Sequence, residues 1–148
     1  MRKRCKRISR PDSVPIHPYE HTDLMLGSRL HLEMVLTQPA VLDYMYSVMG
    51  IFNIAFALAY LQNNSHVLHQ FEVAQMSLMG LIQEKRSPNQ DEGNSLRQYF
   101  NQADRYIGIQ NRATLVRAIG LVNHVAGKDG GDSEGRQLKQ QEIITLET

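Results

Sequence analysis

Between Asp43 and Glu72 the chain runs for 28 residues without a formal charge, and this stretch limits what the rest can be. Inside it, YMYSVMGIFNIAFALAYL (Tyr44–Leu61) is 18 residues of nearly unbroken apolar character. A helix satisfies the backbone hydrogen bonds of such a segment internally, but its apolar faces must still be covered by protein or by lipid. A membrane span needs about 20 residues, so the length falls at the margin. Ser47, Gly50, Asn53, Ala57, Tyr60 and Asn64 recur every three or four residues and draw a small or polar stripe down the helix. Such a stripe suits a central core helix that accepts close packing or meets water. Membrane association is the lesser reading, although a basic N-terminal segment would match the positive-inside rule.

The rest of the chain is large enough to cover that helix. The whole chain of 148 residues is 42% apolar and 21% charged, which fits one domain with tails and excludes collagen-like, mucin-like and wholly disordered classes. A single cysteine, Cys5, excludes a disulfide scaffold and agrees with a reducing cytoplasm. The formal net charge of +1 hides an asymmetry. Arg2, Lys3, Arg4, Lys6, Arg7 and Arg10 are basic and residues 1–10 hold no acid, so the body that follows is mildly acidic. Pro11, Pro15 and Pro18 come next and favour an extended lead-in. No apolar segment follows the basic opening, which is therefore not read as a secretory signal. The predicted organisation is a basic arm over 1–22, an all-α bundle of four to five helices over 23–127 and a flexible tail over 128–148.

Thr37 is the expected cap of the apolar helix, with Pro39 in its first turn and Asp43 following. Ser65 is the expected cap of a second helix running to about Lys85. On it Val67, Leu68, Phe71, Leu78, Met79 and Ile82 face inward, with His69, Glu72, Gln75 and Gln83 mostly opposite. Ser87–Ser95 reads as a loop, and a third helix starts near Leu96 and ends at Gly108. Asn111 caps a fourth, with Leu115, Val116, Ile119, Val122 and Val125 inward and Gly127 as terminator. GKDGGDSEGRQ has the chemistry of a flexible linker, and the last residues, LKQQEIITLET, read either as disordered or as a short docking element. Asp23–Leu36 fits a strand or a helix by pattern, and helix is preferred because one isolated strand has nothing to pair with.

Catalytic and metal signatures are weak. Cys5 has basic neighbours but sits in the arm. His66, His69 and Glu72 share a helix face and would need a further ligand such as His124 to bind a metal; no HExxH motif or cysteine pair accompanies them. Gly127–Lys128 lacks the upstream glycine and the following Ser or Thr of a phosphate loop. No catalytic residue, cofactor or metal ligand is assigned. Methionine says more: Met34, Met45, Met49, Met76 and Met79 lie within 46 residues. Thioether side chains fill irregular cores and also suit surfaces that repack against a partner. Tyr44, Met45, Met49, Tyr60, Met76 and Met79 are the candidate partner-binding residues, for a host protein or a second copy.

Two resemblances extend this reading. ADRYIGIQNRATLVRAI (Ala103–Ile119) resembles the helix–turn–helix DNA-binding motif, with Ala103 and Gly108 five apart where the motif has four. That resemblance implies that Arg112, Thr114 and Arg117 face the major groove. The chain also resembles small helical proteins of bacteriophages and prophages that open with a MRKRxK-type basic arm. The likeness is carried by MRKRCK at the start, LTQ at Leu36–Gln38 and NIAFAL at Asn53–Leu58. It implies expression in the cytoplasm of a bacterial host and no enzymatic role. The leading expectation is a non-enzymatic accessory protein that binds and modulates a host protein. The alternative is a DNA-binding transcriptional regulator. Weak, sequence-indifferent attraction to nucleic acid is expected of the basic residues of the arm, Arg2, Lys3, Arg4, Lys6, Arg7 and Arg10.

Overall fold

The computed structural model describes residues 14–37, 39–128 and 136–147. Six helices lie among them: α1 (Pro18–Thr37), α2 (Leu42–Leu61), α3 (Ser65–Glu84), α4 (Gln90–Gly108), α5 (Arg112–Lys128) and α6 (Gln140–Glu147). The described residues form no strand beyond an isolated bridge between Pro15 and Asn111. The fold is all-α, with one helix more than the upper expectation.

α2 is the axis of the bundle, and α1, α3, α4 and α5 all pack against it. Every residue from Ile51 to Ala59 is buried, as are Met45, Val48 and Met49. Nine consecutive buried positions leave no face of the helix for solvent, which explains why the segment carries no charge. Among the described residues α2 is the helix long and apolar enough to cross a membrane, and 67% of that stretch is buried inside the fold. The polar stripe is put to separate uses. Ser47 meets Ser28 of α1 at 3.0 Å, Asn53 turns toward the C-terminal segment, and Asn64 caps α3 by accepting from the Val67 N–H at 3.3 Å.

Several expected boundaries move. Thr37 is the last residue of α1, and its hydroxyl donates to the Glu33 carbonyl at 2.7 Å instead of capping α2. The residue that precedes α2 is Val41, which offers no side-chain cap, and Pro39 lies outside the helix. Asn64, not Ser65, caps α3, because left-handed Asn63 (φ 53°) closes α2 and leaves Asn64 facing the next first turn. Ser87–Ser95 is mostly helix: Asn89 caps α4 and exchanges hydrogen bonds with Glu92 in a capping box. Asn111 does cap α5, accepting from the Thr114 N–H at 2.8 Å. The expected terminator Gly127 lies within α5, which runs to Lys128.

The division into arm, body and tail also shifts. α1 begins at Pro18, and Ile16 is 7% exposed within the core, so residues 16–22 belong to the bundle. At the other end Leu138 is 2% exposed and Ile143 is fully buried, so residues 136–147 include a docked segment, the alternative to disorder for LKQQEIITLET, inside the range assigned to the flexible tail. Gln75, expected outward on α3, is fully buried, and Val116, expected inward on α5, is 62% exposed.

Candidate functional site

The six candidate partner residues do not form one surface. Met45 and Met49 are fully buried and serve the core. Tyr44, Tyr60 and Met79 are partly buried against it, with the Tyr44 ring stacked on His31 at 5.1 Å. Met76 is exposed at 58%. The methionines thus act mainly as fillers around α2, the commoner role of a flexible thioether.

The outer face of α1 is where exposed apolar side chains line up. Tyr19, Leu26 and Leu30 are 74%, 56% and 58% exposed. At 3.6 residues per turn they fall within about 40° of one another, opposite the buried Met25, Leu32 and Val35. Asp23 lies within this stripe, while Glu20 and Glu33 at its margins are paired with Arg112 and Arg97 at 3.4 and 3.1 Å. The signal was present in the sequence as a helix with apolar residues on two faces; helix is the preferred reading of Asp23–Leu36, but the alternation with polar residues fits a strand as well and leaves the outer stripe unmarked.

Beneath the stripe, α1 is pinned to α4 by a polar cluster. His21 Nε2 stands 2.6 Å from one Asp104 carboxylate oxygen, and an Arg29 guanidinium nitrogen 2.5 Å from the other. Arg29 also donates to Asn101 at 3.1 Å and lies over the Phe100 ring at 4.9 Å. Gly108 makes room for the imidazole: a Cβ there would come within 2.9 Å of His21 Cε1. The hydroxyl of neighbouring Thr22 donates to the Pro18 carbonyl. With one carboxylate oxygen of Asp104 engaged by the His21 imidazole and the other by the Arg29 guanidinium, the arrangement works as a tie between helices.

The helix–turn–helix candidate is a helix pair, α4 and α5, joined by Ile109, Gln110 and Asn111. The start of α5 is contacted by the N-terminal segment. The Arg112 N–H donates to the Val14 carbonyl at 2.9 Å, and its guanidinium pairs with Glu20. Thr114 is half-buried and Arg117 is exposed. Arg2, Lys3, Arg4, Cys5, Lys6, Arg7 and Arg10 lie outside the described residues. His66 is 3.4 Å from Gln70, and no group of three His, Cys, Asp or Glu side chains is placed to hold a metal ion among the described residues.

A second polar site, which sequence reasoning missed, is buried. Asn53 Nδ2 donates to the Arg136 carbonyl at 2.8 Å, and Asn53 Oδ1 accepts from the Leu138 N–H at 3.1 Å. Gln75 Nε2 donates to Asn53 Oδ1 at 2.9 Å and to the Leu138 carbonyl at 3.2 Å. The available signal was Asn53 alone in an apolar helix, together with Gln75 one turn from Phe71 on the inward face. No family model, curated protein or solved structure matches this chain.

Proposed function

We propose that the chain is a non-enzymatic protein-interaction module, a phage or mobile-element accessory factor that holds and modulates a protein in the cytoplasm of its bacterial host. The observation that carries this reading is the apolar stripe Tyr19–Leu26–Leu30 on the outside of α1. Three large apolar side chains in line on a helix are costly to leave in water, each leucine being worth about 1.5–3 kcal/mol when fully buried. They fit the mode in which an amphipathic helix lays one face into an apolar groove. Asp23 calls for a donor or cation midway along that groove. The proposed partner-binding face therefore moves from the tyrosines and methionines of α2 and α3 to α1.

The test is a pull-down from bacterial host lysate with wild-type protein and with Leu26→Asp/Leu30→Asp, both checked for helix by circular dichroism. One protein enriched by the wild type and lost from the folded variant is the expected result. Retention of that protein by the variant removes α1 as the binding face.

DNA binding is the second reading, favoured by the three-residue joint between α4 and α5 and by exposed Arg117. Against it, Glu20 pairs with Arg112 and the N-terminal segment bonds the first residue of α5, at the end that such motifs insert in the groove. Titration against a randomised DNA pool is expected to select no consensus; a consensus lost with Arg117→Ala would reverse the ranking.

A further inference from the structure

A side-chain amide is a peptide group in miniature, and Asn53 uses both of its ends on a main chain. It binds the carbonyl of Arg136 and the N–H of Leu138, spanning Gln137 as a neighbouring strand would. Gln75 adds a bond to the Leu138 carbonyl, and the Gln137 side chain reaches Gln75 Oε1 at 3.4 Å. Three polar atoms of one backbone, the Arg136 carbonyl and the N–H and carbonyl of Leu138, are thereby bound through groups that every residue of a peptide carries. Selectivity is left to the apolar sites that take Leu138 and Ile143, both almost wholly buried. Main-chain bonds for affinity and pockets for alternate side chains are the division of labour found where proteins bind extended peptides. The segment is also held to itself, because Arg136 pairs with Glu142 at 2.6 Å across the turn into α6.

We propose that the site formed by Asn53 and Gln75 on α2 and α3 is a receptor for an extended peptide main chain. Within one chain it is filled by the extended residues Arg136–Lys139 that lead into α6, and it accepts the same segment from a second copy. This stands apart from the α1 reading, since it uses other helices. Two features favour exchange. The bonds and pockets are identical whichever copy supplies the segment, so only tethering separates the two arrangements. The tether DGGDSEG (129–135) contains no apolar side chain that could anchor it by burial. Short tethers hold an effective concentration in the millimolar range, so the intact chain fills its own site and exchange dominates when one copy's segment is spoiled. This is domain swapping of a terminal segment.

The experiment uses two full-length variants. Leu138→Asp spoils the segment and keeps the receptor; Gln75→Leu spoils the receptor and keeps the segment. Each alone is expected to sediment as a monomer, and an equimolar mixture to form a one-to-one complex. In a second arm, a labelled peptide of residues 136–148 is titrated onto the Leu138→Asp chain. Saturable binding is expected, and the peptide carrying Leu138→Asp should bind roughly 30-fold more weakly, about 2 kcal/mol. If Gln75→Leu does not fold, the titration decides alone. A mixture that sediments as monomers, with no peptide bound to a chain folded by circular dichroism, overturns the proposal. So does a Leu138→Asp chain that has lost its helix, because the segment is then an inseparable part of the core.

Discussion

The Glu92 carboxylate accepts two hydrogen bonds from Arg86, at 2.7 and 2.8 Å, and one from the Asn89 N–H at 3.1 Å. The Arg86 bonds first, and the Asn89 bond second, lower its pKa from 4.5 to about 2. A depressed carboxylate contributes its stability in full above the ordinary value and loses it as pH falls toward about 2. Arg86→Gln is expected to return the Glu92 titration toward its ordinary range, which carbon-detected NMR of the side-chain carboxyl would read. An unmoved titration would remove Arg86 as the cause. Tyr106 presents the opposite case. Burial raises its pKa, and its hydroxyl is buried among the described residues without a hydrogen-bond partner while its ring leans on Phe71 at 5.5 Å. Removing an unsatisfied hydroxyl relieves a desolvation cost, so Tyr106→Phe should raise stability by about 1 kcal/mol in urea denaturation. A loss of the same size would show that the hydroxyl is engaged.

At the scale of elements, the boundary between arm and bundle rests on Ile16. Its side chain is buried beside the bridge from Pro15 to Asn111, so Ile16→Ala is expected to cost about 2 kcal/mol in the same denaturation. A change near zero would restore the boundary at residue 22. Ile16 was hard to see because it stands alone among prolines, and a single apolar residue has no period. The helices with repeated apolar spacing, α2, α3 and α5, were legible for the converse reason. The start of α4 was hidden because its capping box is made of polar residues, and a run such as SPNQDEG has the composition of a loop whether or not it caps a helix. The C-terminal segment was hidden more deeply. Leu138 and Ile143 are five apart, which matches neither helix nor strand, and their receptor depends on two amides more than 60 residues earlier in the chain. Patterning within a window reports burial; it does not report which distant side chain reads a backbone. The α1 stripe illustrates the same limit, because a helix that is apolar on two sides has no single phase.

Considered as a whole molecule, the bundle concentrates its burial in one element. Amides from Phe52 to Ala59, enclosed on every side, should exchange hydrogen only through global unfolding and give the slowest rates in the protein. Exchange there that outpaces α4 or α5 would show that α2 opens by itself. The same enclosure has a consequence for synthesis. α1 precedes α2 in the chain, but α3, α4 and α5 all follow it, and roughly 70 residues separate Leu61 from the end of α5. At about 5–20 residues per second the ribosome needs several seconds to supply that covering. Throughout the interval a 20-residue helix with the length and apolarity of a membrane span stands only partly shielded. Order of translation therefore sets the moment when this protein is most open to chaperones, proteases and membrane-targeting factors, and slowing elongation beyond α2 lengthens it.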